Sequence, residues 1–331
     1  MTTAAPRTKL TIATRGSQLA LWQADYIAGL LAKRGVKTEK LIIKTTADRV
    51  QDRFLHEMGG KGLFVKELEE ALADKRADLA VHSLKDMPAR LPDGMTLAAI
   101  HQRHSPFDAL LLRADHASKL PTKDKVVGAA GLAALRGLTI GTGSLRRSSL
   151  FKAAGVELTT VPIRGNVDTR IRKMTEGQWD GIVLAEASLD RLTITDVARW
   201  RLDPEWFVPS PAQGALAIET RDGDAIAPWL DGVVGDTTTR LCITIERDVL
   251  ARLGGDCTMP FAAYARLDGA TVTCDAALLA RDGKTARARC TGSRELGSRG
   301  LSDLVCKELA RQGAADVLRQ LGLPVPAEFG S

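Results

Sequence analysis

Aromatic residues are scarce in this chain, at 4% of 331 positions. So few rings argue against a surface that stacks the bases of single-stranded nucleic acid. No apolar run approaches the roughly 18 residues of a membrane-spanning helix. The segment Met1 to Lys9 is polar and lacks the apolar core of a secretory signal. The cysteines number five, an odd count, and none stands in C-x-x-C spacing. That argues against a disulfide framework or a zinc site, and a reducing, cytoplasmic compartment is expected. No block of like charges occurs either, although the net charge is +6 and the isoelectric point about 9.1. Dispersed arginines point to a small polyanionic ligand rather than to nucleic acid or a membrane surface.

The length allows two or three domains. Leu10–Thr14 reads as a buried strand, followed by Arg15-Gly16-Ser17 and a helix that Ser17 caps and Gly35 ends. Leu41–Thr45 reads as a second strand. A glycine turn, Gly59 to Gly62, holds Lys61 before a helix bearing Phe64, Leu68 and Leu72. The stretch Ala80 to Pro88 then reads as a strand end forced into a loop by Pro88. The same grammar recurs from Leu138 to Ser144, with a strand over 158–163, a helix over 166–176 and a strand at Asp180–Ala185. The segments Gln102–Asp108 and Pro209–Gly214 read as hinges, and Ala215–Thr220 as a strand able to rejoin the first domain. Beyond Asp236 the pattern changes: a helix over Thr239–Leu253, hairpin turns at Asp268-Gly269 and Asp282-Gly283, and a last helix over Leu301–Leu321. The expected architecture is α/β. Its domains are 1–104 with 215–231, then 108–209, then a small α+β domain with an antiparallel sheet over 236–331.

Cations gather at the strand ends. Arg146 and Arg147 fall in the first turn of a helix opened by Ser144, facing the positive end of its dipole, at a cost of about 0.3–1 kcal/mol each. Either a carboxylate or phosphate ligand compensates them, or they are two solvated surface arginines. Arg164-Gly165-Asn166 with Arg170 repeats the theme, and Arg15 stands beside Ser17 in the first half. Lys85-Asp86 reads either as a solvated ion pair or as an acid/base carboxylate beside an anion-binding lysine. His82 lies inside the strand pattern and reads as structural. Four cysteines fit apolar patterns, whereas Cys257 sits in a Gly-Gly-Asp-Cys loop, where it is either an exposed reactive thiol or a bland loop residue.

Taken in order, these motifs resemble the porphobilinogen deaminase, or hydroxymethylbilane synthase, family. They are Thr14-Arg15-Gly16-Ser17, Gly59-Gly60-Lys61-Gly62, His82 to Pro88, Thr142-Gly143-Ser144-Leu145-Arg146-Arg147, Arg164-Gly165-Asn166, Gln213-Gly214-Ala215 and the Cys257 loop. The resemblance implies two α/β domains like those of periplasmic binding proteins, plus a third domain carrying the cysteine. It implies a transferase of tetrapyrrole and haem biosynthesis. Such an enzyme deaminates four porphobilinogen molecules and joins them head to tail on a dipyrromethane cofactor held by a thioether to Cys257. Asp86 is then the catalytic carboxylate. Arg15, Ser17, Lys61, Ser83, Lys85, Thr142, Ser144, Arg146, Arg147, Arg164, Gly165, Asn166, Arg170 and Gln213 hold cofactor and substrate. A monomer with no metal, nucleic acid or membrane partner is expected.

Three positions depart from the family pattern: Asp256 between the glycines and Cys257, Gly143 where serine is frequent, and Glu57 where lysine is common. The rival readings are a non-catalytic two-domain binding protein for an acidic small molecule and a nucleic-acid-binding protein. The first needs no Cys257; the second needs clustered basic or aromatic residues.

Overall fold

The computed structural model describes residues 7–45, 65–120, 125–255 and 259–330. They form two compact units, one of residues 1–104 and 214–241, the other of 105–213 and 242–331. The chain passes between them at 104/105 and 213/214, inside the segments read as hinges, and again at 241/242, within the helix Thr237–Arg252. Among the described residues no helix is long and apolar enough to cross a membrane.

In chain order the first unit supplies β1 (Lys9–Arg15), α1 (Gln18–Ala32), β2 (Lys37–Ile43), α2 (Lys66–Ala73), β3 (Leu79–Ser83) and β4 (Met95–Ile100). The second supplies β5 (Asp108–Leu112), β6 (Val126–Val127), β7 (Thr139–Gly141), α3 (Leu145–Ala153), β8 (Thr159–Val161), α4 (Val167–Thr175), β9 (Gly181–Ala185) and β10 (Arg199–Leu202). The chain then returns to the first unit as β11 (Leu216–Arg221) and α5 (Ala227–Val234).

The first sheet runs β2-β1-β3-β11-β4, with β1 parallel to β2 and β3, and β11 antiparallel to both its neighbours. One face is sealed by α1 and α5 through Ile27, Leu31 and Leu230 on Leu79, Val81 and Ile218. On the other face Leu68 and Leu72 of α2 pack on Ala13 and Ala80. Register puts Glu219 opposite Ala80 and Ala217 opposite His82, so His82 and Glu219 are diagonal neighbours on the α2 face.

The second sheet runs β6-β10-β5-β9-β7-β8, with β5 buried along its whole length. The two units share a device at the start of their first parallel pair. Asp78 accepts the N–H of Thr11 at 2.7 Å, and Asp180 accepts that of Thr139 at 2.8 Å. Each carboxylate belongs to the residue just before the neighbouring strand, so it pins the two strand starts together.

A third sheet, β12 (Phe261–Asp268), β13 (Thr271–Leu279) and β14 (Thr285–Ser293), is antiparallel and turns at the two Asp-Gly pairs. It follows α6 (Thr237–Arg252) and precedes α7 (Gly297–Arg311) and α8 (Ala314–Gln320). Its Ala262, Ala277 and Leu279 join the core formed by Phe151, Trp200 and Phe207.

Several sequence boundaries are corrected. The second strand begins at Lys37 rather than Leu41, because it pairs with β1 from Lys9 onward as an edge strand with charged residues on it. The expected last helix is two helices, broken where Gly313 adopts φ +88°, a left-handed value suited to glycine. Strands β4 and β5 were not read from the sequence.

Candidate functional site

The loop after β3 is shaped by what is buried at its ends. Leu84 is fully buried and donates its N–H to the Ala215 carbonyl at 3.1 Å. Met87, also buried, closes one tight turn by donating its N–H to Leu84 O at 3.2 Å. Met87 is extended at φ −86°, ψ 146°, as the following Pro88 requires. With Leu84 and Met87 held inward, Asp86 is left exposed and Lys85 half-buried. Ser83 Oγ accepts from Gln23 Nε2 at 2.8 Å, which fixes its rotamer against α1.

Arg15 and Ser17 line one cavity together with Ser83, His82 and Asp86. Ser17 caps α1, accepting the Ala20 N–H at 3.3 Å, as its sequence position predicts. A guanidinium, two hydroxyls and an exposed carboxylate therefore share one wall. That set can bind an anionic substituent while holding a carboxylate near a polar N–H or a developing cation.

His82, which lines this cavity, has two carboxylate neighbours that were not read from the sequence. His82 Nε2 lies 2.9 Å from Glu219 Oε2, and both side chains are buried. The two groups are close without being aligned for a hydrogen bond. A carboxylate directly after the apolar run Ala215 to Ile218, on a strand buried almost throughout, was the available signal. Glu69 of α2 is the third member. Burial, reinforced by the Glu219 carboxylate, pushes its carboxyl up to about 7, with His82 acting in the opposite direction.

In the second unit Arg146 and Arg147 are buried around Asp108. Arg146 Nη2 donates to Asp108 Oδ2 at 2.7 Å and Nη1 to Val208 O at 2.8 Å. Arg147 donates to Asp108 Oδ1 through Nε at 2.9 Å and Nη2 at 2.6 Å, and to Val183 O through Nη1 at 2.7 Å. Gln213 Nε2 adds a bond to the same carboxylate at 3.1 Å and one to Pro106 O at 2.7 Å. Burial alone would raise the Asp108 carboxyl, but the two guanidinium groups outweigh it and hold it at about 2. The compensation sought in a ligand is thus supplied by Asp108 of the protein itself. Arg146 Nε is nevertheless buried and without a partner among the described residues, one donor left over for an anion.

The remaining second-unit candidates sit around the starts of α3 and α4. Thr142 is buried, and its Oγ1 accepts the Ser144 N–H at 3.2 Å. Ser144 and Asn166 occupy N-cap positions, yet neither side chain makes the capping bond. Gly165 has φ +104°, and its carbonyl accepts from Arg170 Nε at 2.7 Å. Arg164 is half-buried at the end of the loop after β8. At Gly143 a Cβ would lie 3.0 Å from the Ile163 carbonyl oxygen, so glycine relieves a close backbone approach there.

Lys61 and Cys257, with the departures Glu57 and Asp256, lie outside the described residues. Of the other cysteines, Cys242, Cys274 and Cys306 are buried and Cys290 half-buried. Burial pushes the Cys306 thiol up to about 12 and those of Cys274 and Cys290 upward as well. Thiols held protonated in this way are poor nucleophiles.

Comparison with known proteins gives a consistent family. Residues 10–227 match the family model described as "Porphobilinogen deaminase, dipyromethane cofactor binding domain". Residues 240–309 match "Porphobilinogen deaminase, C-terminal domain". The chain is 44% identical to porphobilinogen deaminase of Albidiferax ferrireducens, over 92% of this chain and 95% of that one. It is 42% identical to that of Bordetella parapertussis, over 96% and 98%. Among solved structures, substrate-binding domain 2 of Lactococcus lactis GlnP aligns at TM-score 0.42 and 12% identity, over 70% of this chain and 90% of that one. The Streptococcus pneumoniae amino acid substrate-binding protein AbpA aligns at TM-score 0.37 and 14% identity, over 68% and 87%. Agreement of that order fixes neither ligand nor activity.

Proposed function

The chain belongs to the porphobilinogen deaminase family, and on that premise we propose that Asp86 is its catalytic carboxylate and Cys257 the anchor of its cofactor. The activity is that of hydroxymethylbilane synthase, a transferase of tetrapyrrole biosynthesis. Four porphobilinogen molecules are deaminated and joined head to tail, and hydroxymethylbilane is released by hydrolysis. The rival of a non-catalytic binding protein is set aside, since the relatives over nearly the full length are deaminases.

The observation that carries the assignment of Asp86 is its exposure on a turn anchored at both ends, in the cavity it shares with Arg15, Ser17 and Ser83. Loss of ammonia from porphobilinogen breaks a C–N bond and leaves a cation delocalised into the pyrrole ring. Asp86 stabilises that cation through the pyrrole N–H and accepts the proton released after the new C–C bond forms, work worth about 10²–10⁴ in rate. Each pyrrole carries an acetate and a propionate. Arg15, Ser17, Lys61, Ser83 and Lys85 hold these in the first unit. Thr142, Ser144, Arg146, Arg147, Arg164, Gly165, Asn166, Arg170 and Gln213 form the second-unit set, of which Arg146, Arg147 and Gln213 also hold Asp108.

The residues suit a polycarboxylate cofactor. The buried, unpartnered Nε of Arg146 and the donors around Asp86 have the chemistry to take carboxylates, and no described cysteine competes with Cys257 as an attachment point. When bound, the dipyrromethane supplies the free pyrrole position on which the product grows. The same proposal includes the domains 1–104 with 215–231, 108–209 and 236–331, and a monomeric, cytoplasmic enzyme. The unit boundaries near residues 104 and 214 support the division of the first two, and the separate family models over 10–227 and 240–309 support a C-terminal domain.

The test is the intact mass of the purified holoprotein. It should exceed the sequence mass by one dipyrromethane, and Cys257→Ala should abolish the increment. An unmodified mass on protein that turns over porphobilinogen would remove the anchor assignment.

A further inference from the structure

The pair His82–Glu219 and the neighbouring Glu69 have no part in the mechanism above, yet they lie directly behind it. Glu219 is fully buried on β11, and among the described residues neither of its carboxylate oxygens has a hydrogen-bond partner. Its close neighbour is the His82 ring, at 2.9 Å. His82 is buried and lines the cavity that also holds Asp86. Glu69 enters from α2, with one carboxylate oxygen buried and unpartnered, inside the electrostatic reach of both. Two buried titratable groups and a half-buried third, with so few hydrogen bonds among them, cannot all carry charge cheaply. A scaffold built only for stability would satisfy such groups, as the second unit satisfies Asp108.

We propose that Glu69, His82 and Glu219 form a proton-sharing cluster beneath the reaction cavity, with Glu219 as a positioning residue for His82 and Glu69 setting the cluster's charge. The inference rests on the assignment of that cavity as the reaction centre. Among the described residues, the charged groups acting on Glu69 lie on three elements. Glu70 lies on its own helix, Glu219 on β11 and His82 on β3. Arg15, at the end of β1, lines the cavity together with His82 and Asp86. Arg221, also on β11, is engaged by the Leu72 and Ala77 carbonyls and by Asp224. Ionising Glu69 therefore adds one negative charge behind a site where a cation develops, and that charge lowers the barrier to forming it.

The sign is fixed by the direction of the Glu69 shift. Its carboxyl stands at about 7, above its ordinary 4.5. Protonated Glu69 thus contributes stability that is complete below the ordinary value and lost as pH rises through about 7. Over the same interval kcat should rise.

The experiment measures kcat and urea unfolding of the holoenzyme from pH 5.5 to 8.5, for the wild type and three variants. The wild type should show a kcat limb near pH 7 and a parallel fall in stability. Glu69→Gln should flatten both. Glu219→Gln removes the carboxylate that raises Glu69 and should move the limb down by about one pH unit. His82→Gln removes the group that lowers it and should move the limb up. A limb unchanged in Glu69→Gln, or shifts of the opposite sign, would overturn the proposal. So would a stability change without an activity change, which would leave the cluster purely structural. If the wild type does not consume porphobilinogen at all, the functional assignment falls too. The unfolding arm, which needs no substrate, separates the two failures.

Discussion

The strand-end corner of the first unit and that of the second place carboxylates and cations in opposite ways. After β3, the carboxylate of Asp86 is exposed on a turn, and the buried groups behind it, His82 and Glu219, are close but poorly hydrogen-bonded. At the start of α3, the carboxylate of Asp108 is buried and takes donors from Arg146, Arg147 and Gln213. The satisfied network is a scaffold, since every change of charge there is costly. The unsatisfied one lines, through His82, the cavity that holds Asp86. Strand, turn and helix recur in both corners, and what separates them is whether the buried carboxylate is hydrogen-bonded.

The most severe way to break this comparison is to remove the satisfied carboxylate. Asp108→Asn leaves two buried guanidinium groups facing a neutral amide and should cost about 3–5 kcal/mol in urea unfolding. A loss below 1 kcal/mol would mean the network is not the scaffold described. A related effect appears with acid. Because the Asp108 carboxyl is held at about 2, below its usual 3.8, its stabilisation is complete above the usual value and lost as pH falls through about 2. An acid titration of unfolding should show that loss in the wild type and a flatter curve in Asp108→Asn.

Smaller effects sharpen the likeness between the units. Asp78 and Asp180 clamp equivalent strand starts at 2.7 and 2.8 Å, so Asp78→Asn and Asp180→Asn should each cost about 1.5 kcal/mol. Thermal unfolding of the two variants reads this directly, and clearly unequal losses would end the equivalence. Smallest is the exposed pair of Lys40 and Asp25, where Lys40→Ala should change stability by no more than about 0.5 kcal/mol.

Much of this was legible in the chain. Ser17 before an amphipathic run announced a capped helix, the two Asp-Gly pairs announced hairpins, and Pro88 announced the exit that exposes Asp86. Local chemistry decides each of these, so a few neighbouring residues suffice. The partner of the arginine pair was not legible, because Asp108 stands 38 and 39 positions away and only strand order brings it beneath α3. Glu219 was passed over for a similar reason. It looks like one polar residue at the end of an apolar strand until antiparallel register sets it diagonal to His82. The gap in the last helix turned on one glycine whose backbone angle, not its neighbours, ends the run.

Asp86 is the residue proposed to handle charge and protons in the reaction. The direct measurement is mass spectrometry of cofactor-loaded Asp86→Asn protein, sampled over time after addition of porphobilinogen. A folded, loaded protein is expected, whose elongated species appear at least about 10²-fold more slowly than in the wild type. Elongation at the wild-type rate would contradict that role.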